Sequence, residues 1–529
     1  MVFRFFYSIL FVAIAAFAQG DSLSLSPAPG SNAGAVTLNL SLQSSAGQQP
    51  AGIQWTINYS NADFAAIQVK QGPSAAAADK AVDCAGPSTA YICLVAGVNS
   101  TNIPDGVIAV ITLTVSPTTH NTSSLIQVQN AMAVSGDGTA IPITGTEITA
   151  TIKSTGGSSA VLFTPVFPCR IADTRDPSGT FGGPSVNGGT MRDFLIPDSA
   201  CGIPPSAAAY SLNVAVVPKH KLGFLTVWPA GQTRPTVATL NSTDGRIKSN
   251  AAIVAAGASG AISVYTTDTT DVILDINGYW STSSADGLAF YALTPCRIAD
   301  TRNTPGPVGG PALGAQKARA FPIAGGPCAI PDGAPAYSLN FGTLPEGPLG
   351  FLTAWPYNSP KQPMVASLNA VTGTATANAV IVPAGANGEI NIFSTNATNL
   401  FIDTNGYFAA PAAGGLSLHT LAPCRVLDTR LNDGSPFKGT KEVPVSGTCG
   451  VPSTAQAYIL NATVVPHGSF GFLSLWKHAA AQPLVSTLNA FDGAITSNMA
   501  IVPAAGGAID AFASDPTHLI LDIFGYFAP

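Results

Sequence analysis

Charge is the scarcest commodity of this chain: only 9% of its 529 residues are Asp, Glu, Lys or Arg, where about a quarter is usual. A charge-rich disordered chain and a coiled coil are therefore excluded. The net charge is −6 and no basic run follows the first residues. Nucleic acid is therefore not an expected partner, because a polyanion needs a basic patch or stripe. Long apolar runs are also lacking after the N-terminus, which leaves no candidate membrane span once a leader is removed. Helical patterning is equally sparse. No stretch of 12 or more residues keeps a 3.6-residue apolar period between recognisable caps.

Turn-forming residues and β-type segments are abundant. There are 53 glycines and 42 prolines, and 46% of residues are hydrophobic, the composition of a turn-rich globular protein with three to four domains at about 150 residues each. Residues 1–18 combine Arg4, an apolar run from Phe5 to Phe17 and the small-residue site Ala16-Phe17-Ala18. This is the pattern of a secretory signal peptide, with an uncleaved N-terminal anchor as the alternative. The expected location is extracellular or on the cell surface.

Self-comparison shows three copies of one module. Pro168-Cys169-Arg170-Ile171-Ala172-Asp173-Thr174-Arg175 returns as Pro295–Arg302 and as Pro423–Arg430. Each copy continues with Tyr-x-Leu-Asn at Tyr210, Tyr337 and Tyr458, and with Gly-Phe-Leu-[Thr/Ser]-x-Trp ending at Trp228, Trp355 and Trp476. Leu-Asn follows at Asn241, Asn369 and Asn489, and Asp-x-x-Gly-Tyr-[Phe/Trp] closes each copy from Asp275, Asp403 and Asp522. The boundaries fall at 160–282, 288–409 and 416–528, and a period this long implies domains with their own cores strung as beads. Apolar segments such as Ala209–Val217, Gly223–Trp228, Ala251–Ala255, Ala261–Tyr265 and Val272–Ile276 are broken by Pro, Gly, Asn or Asp. This is strand punctuation, so the expected fold class is all-β, a tandem of antiparallel sandwich or jelly-roll-like domains.

An even number of cysteines in an exported chain favours disulfides. Corresponding places in the repeat pair Cys169 with Cys201, Cys296 with Cys328 and Cys424 with Cys449, leaving Cys84 with Cys93. No cluster has zinc-ligand spacing, so neither a metal nor a cofactor is expected.

Each copy also keeps two aspartates, Asp173 with Asp275, Asp300 with Asp403, and Asp428 with Asp522. A glycosidase would hold such a pair roughly 5–10 Å apart. The same motif supplies Arg170 and Arg175, Arg297 and Arg302, Arg425 and Arg430. Structural ion pairs are the better reading, because Arg and Asp form bidentate, charge-assisted pairs that can pin the first strand of a copy to its last. The six histidines share no repeat position and no Gly-x-Ser-x-Gly occurs, so nucleophilic catalysis has no anchor. The expectation is no enzyme, with a hydrolase using the recurrent aspartates as the second alternative.

Strand alternation places Phe224 and Trp228, Phe351 and Trp355, and Phe472 and Trp476 on one face. If the opposite face is the core, these six residues form platforms for stacking on sugar rings. If both faces are buried they are packing, the more frequent role of a recurrent tryptophan.

Residues 21–155 lack the repeat. Alternation in Val36–Leu42, Ile53–Tyr59 and Gly106–Val115 marks half-buried strands, and Ala75–Val82 is the one helical candidate. The strands Ile53-Gln54-Trp55-Thr56-Ile57-Asn58-Tyr59 and Gly106–Val115, with the turn Ser135-Gly136-Asp137-Gly138 before the strand Glu147–Ile152, resemble the cohesin fold. That resemblance implies a nine-stranded jelly roll related to carbohydrate-binding modules, partners of the dockerin type, and a place on scaffolds that support polysaccharide catabolism. The three copies resemble a Pro-x-Arg-x-x-Asp-Thr-Arg … Gly-Tyr-Phe module of secreted bacterial proteins, often appended to hydrolases. The resulting expectation is a secreted, non-catalytic scaffold or binding protein associating with an extracellular protein or a polysaccharide. A carbohydrate-binding accessory of a polysaccharide-degrading system is the first alternative.

Overall fold

The computed structural model describes residues 20–28, 35–45, 47–87, 91–116, 123–152, 161–282, 286–432 and 434–529. The expected signal segment 1–18 lies outside them. The chain divides into two compact units, 1–156 and 157–529, and the fold is all-β and largely antiparallel, as expected.

The first unit contains β1 (Asp21–Pro27), β2 (Ala35–Gln43), β3 (Gly52–Asn58), β4 (Phe64–Gln71), β5 (Ala81–Ala85) and β6 (Tyr91–Ala96). It continues with β7 (Gly106–Val115), β8 (Ser123–Val134), β9 (Ala140–Ile141), β10 (Ile143–Gly145) and β11 (Glu147–Thr151). One sheet has the order β10-β1-β2-β7-β4 and the other β11-β8-β3-β6-β5, with β9 on β8. Burial alternates along β2, where Val36, Leu38, Leu40 and Leu42 are buried and the intervening polar residues are not. Trp55 and Ile57 of β3, Ile108 and Ile111 of β7 and Ile126 of β8 complete a core between the sheets. Each fully buried aliphatic side chain contributes about 1.5–3 kcal/mol.

The helical expectation for Ala75–Val82 holds only in part. The helix α1 covers Pro73–Ala77, Asp79 then takes a positive φ of 55°, and Val82 belongs to β5. Cys84 pairs in register with Cys93 across β5 and β6, so strand pairing overrides the helix propensity of the alanines. Gly72 before α1 is obligatory, since a Cβ there would lie 2.4 Å from the Val107 carbonyl oxygen.

In the second unit each copy contributes two sheets. In the first copy, Leu162–Asp173, Thr270–Ser281, Ala209–Pro218 and Lys248–Ala255 form one, and Thr190–Leu195, Ala261–Thr266, Leu222–Pro229 and Leu240–Ser242 the other. The second copy repeats this arrangement. In the third, Ala508–Ala528 runs through both layers and joins them into one seven-stranded sheet.

Each copy has its own core, but the three are not beads. A fourth core is shared by all of them, built from Phe163, Trp280, Phe290, Phe408, Leu418 and Phe527 among others. Single bridges Phe163↔Leu288, Phe290↔Leu416 and Val161↔Leu418 close the three first strands into a ring. The reason lies in strands such as Lys248–Ala255, which send Ala252 and Val254 into their own core and Ala251 and Ile253 into the shared one. A strand apolar on both faces needs cover on both sides.

Candidate functional site

The recurrent arginines and aspartates converge in every copy. Arg170 directs Nε to Asp275 Oδ1 (2.6 Å) and Nη2 to Asp275 Oδ2 (3.3 Å), while its Nη1 reaches Asp173 Oδ2 (2.9 Å). Arg175 grips the same Asp173 through Nε (2.8 Å) and Nη2 (2.5 Å). Arg297 and Arg302 hold Asp403 and Asp300 in the same way, as Arg425 and Arg430 hold Asp522 and Asp428. Asp275 Oδ2 also accepts from the Ala366 backbone N–H of the second copy (3.1 Å), and Asp522 Oδ2 from Ala238 of the first (3.4 Å). These clusters therefore sit where one copy meets the next.

Burial pushes Asp173, Asp300 and Asp428 toward higher pKa, but their arginines outweigh it for Asp173 and Asp300 and hold both below 3.8. For Asp428 the Arg430 hydrogen bond is itself the largest influence, and the result is again a lowered value. Asp275, Asp403 and Asp522 are raised by deeper burial against the pull of the same guanidinium groups. In the first copy every carboxylate oxygen of Asp173 and Asp275 accepts hydrogen bonds from protein donors. Each of the four oxygens is thus engaged by at least one protein donor.

Of the two readings of the aromatic pairs, the packing role is the one observed for the tryptophans, and the candidate platforms do not form. Trp228, Trp355 and Trp476 are only 1%, 4% and 3% exposed. The chain leaving each strand folds back over the outer face: Thr226 Oγ1 donates to Val237 O (2.6 Å) and Trp228 Nε1 to Gln232 O (3.0 Å). Trp476 Nε1 donates likewise to Ala480 O (2.9 Å). Phe224, Phe351 and Phe472 remain half-buried beside Tyr265, Phe393 and Phe512. The four disulfides join Cys84–Cys93, Cys169–Cys201, Cys296–Cys328 and Cys424–Cys449.

A polar ring escaped the sequence reading. Asn250, Asn378 and Asn498 donate to Asn461, Asn213 and Asn340 of neighbouring copies at 2.7–2.9 Å. Their own side-chain oxygens accept from the backbone N–H groups of Met499, Ala251 and Ala379. The available signal was one Asn recurring in an otherwise apolar strand.

The first unit presents a surface of a different kind. The outward face of its β11-β8-β3-β6-β5 sheet carries Ile92, Leu94, Leu125, Met132 and Val134, each between 42% and 57% exposed. Register aligns Met132, Gln54, Leu94 and Asp83 in one row, and Gln129, Thr56, Ile92 and Ala85 in the next. Gln127 donates to Glu147 (2.8 Å) and Asn58 to Gln129 (2.9 Å). These five strands contain no Lys or Arg. The outward face of the other sheet is polar, with Ser22, Ser24, Ser26, Thr37, Asn39 and Ser41. The two outer faces of the unit thus differ in that only the first carries large aliphatic side chains exposed by more than 40%, interleaved with Gln54, Gln127, Gln129 and Asp83.

No protein-family description and no curated protein matches the chain. Among solved structures, a type I cohesin–dockerin complex from Clostridium thermocellum aligns with 14% identity, covering 25% of this chain and 99% of that one, with a TM-score of 0.22. A cohesin module of a family 33 glycoside hydrolase from Clostridium perfringens aligns at 14% identity over 26% and 98%, also at 0.22. A non-cellulosomal cohesin from the archaeon Archaeoglobus fulgidus aligns at 14% identity over 25% and 91%, with a TM-score of 0.19.

Proposed function

We propose that this is an extracellular, non-catalytic association protein. Its first unit binds a protein partner through the outward face of the β11-β8-β3-β6-β5 sheet, and its second unit is a rigid support. The observation that carries this reading is the asymmetry of the first unit, whose exposed Ile92, Leu94, Leu125, Met132 and Val134 all lie on one of two otherwise comparable sheet faces. A sheet face on which aliphatic side chains alternate with amides suits a protein surface, where apolar side chains supply central contacts and amides supply hydrogen bonds. A sugar would instead call for exposed aromatic rings, and the three tryptophans are buried. The commitment of both aspartates of each copy to arginine supports the absence of catalysis. The leader pattern and four disulfides support export.

The test measures binding of the full chain to a panel of purified dockerin modules and to a displayed peptide library, alongside a glycan array. Leu94→Glu with Met132→Glu alters two exposed side chains, so the melting temperature is expected to hold while partner binding falls by at least tenfold. Glycan binding that survives both substitutions, or a partner indifferent to them, overturns the reading.

A further inference from the structure

The three copies meet pairwise, and the second and third border an open cleft of about 300 Å³. Small-molecule sites begin at about this size. Its walls are Arg302, Leu344 and Phe401 of the second copy and Phe472, Leu484 and Phe491 of the third. Arg297 lies with its guanidinium carbon 4.4 Å from the centre of the Phe401 ring, and Arg302 at 6.0 Å. Arg302 directs Nε and Nη2 to Asp300, yet its side chain is 46% exposed.

The repeat provides an internal comparison. Phe401 stands opposite Asp300 as Ile273 stands opposite Asp173 and Ile520 opposite Asp428. By the same alignment Leu484 and Phe491 correspond to Met364 and Val371 in the second copy, and to Thr236 and Thr243 in the first. Only the junction of the second and third copies therefore combines phenylalanines at both the Phe401 and Phe491 positions. Phe401 is a packing choice, 6% exposed with its ring over Gly342, where a Cβ would meet it; packing does not explain Leu484 and Phe491, which are 95% and 47% exposed.

We propose that this cleft binds a small aromatic carboxylate. The ring packs against the half-buried Phe472 and the exposed Phe491 and Leu484, beside the buried Phe401, where offset and edge contacts between aromatic groups add to area burial. The acid end meets the exposed edge of Arg302. A guanidinium group has donors and no acceptor, so it selects an acceptor, and a charged one forms the stronger bond. The site belongs to the second unit and does not depend on the association face of the first.

Calorimetric titration of the full chain with 2-naphthoate is expected to show one equivalent bound. Leu484→Thr with Phe491→Thr installs the side chains found at the third-to-first junction; it should weaken binding at least tenfold without lowering the melting temperature. The cation 2-naphthylmethylammonium should not bind. Absence of binding, three equivalents per chain, unchanged affinity in the double variant, or equal binding of the cation each overturns the proposal.

Discussion

Asp173 accepts hydrogen bonds from Arg170 and from the backbone N–H, Nε and Nη2 of Arg175. Replacing it with Asn leaves two guanidinium groups facing a neutral amide. Breaking a fully buried pair costs about 3–5 kcal/mol, and since Arg175 keeps a side-chain exposure of 47% the expected loss is lower, about 2–3 kcal/mol. Chemical denaturation of Asp173→Asn against the unaltered chain measures it. The pH dependence follows from linkage. With a folded pKa below the ordinary 3.8, Asp173 contributes stability that is fully present above that value and lost as pH falls through the depressed one. The gap between variant and parent should therefore narrow as the pH drops below 3.8, whereas a gap that widened would contradict the assignment. Asp275 has the opposite sign, because its pKa is raised by burial, and its ionisation weakens folding as pH rises through the raised value. Asn250 gives a second residue-level expectation. It donates to Thr239 O and Asn461 Oδ1 and accepts from Met499, so Asn250→Ala leaves buried polar groups unmatched, at about 1–3 kcal/mol each.

At the scale of the element, each Gly-Phe-Leu strand is buried on both faces by a different neighbour. Leu225 and Val227 enter the core of their own copy, and the returning chain covers Thr226 and Trp228. Trp228→Ala should accordingly cost about 3–5 kcal/mol, as for other large-to-small core changes. Retention on insoluble polysaccharide should not differ between the variant and its parent; selective loss of retention at unchanged stability would restore the platform reading. Strand positions were legible from punctuation: Ala209–Val217 is observed as Ala209–Pro218, and Gly223–Trp228 as Leu222–Pro229. The pairing of cysteines was legible because repeat positions constrain it. What covers the second face of a strand was not, since period-two alternation identifies two faces without saying what lies beyond either. Every residue from Tyr210 to Val216 is buried, Ser211 and Asn213 included, and those two polar residues hid the second buried face in the sequence. The amphipathic pattern of the first unit likewise identified strands, while Leu94 and Met132, apolar but outward, became visible only once register fixed their side of the sheet.

For the whole molecule, the shared core makes the copies mutually dependent. An isolated middle copy, residues 288–409, would expose Phe290, Ala336, Ile381 and Phe408, which are buried among residues of the other two. Such a fragment is expected to associate, with a trimer as the closed form, and sedimentation velocity would reveal it. A stable monomer melting with the full unit would show that the shared core is dispensable.

The ring of first strands carries one more consequence. Leu418 pairs with Phe527 on one side and bridges Val161 on the other, so the beginning and end of the second unit flank a single strand and lie about two strand spacings, roughly 10 Å, apart. A few residues could join them, and the 409–415 connection could be opened instead. The order of the three copies along the chain is then a matter of where the ring is cut, and a circularly permuted second unit should fold to the same architecture.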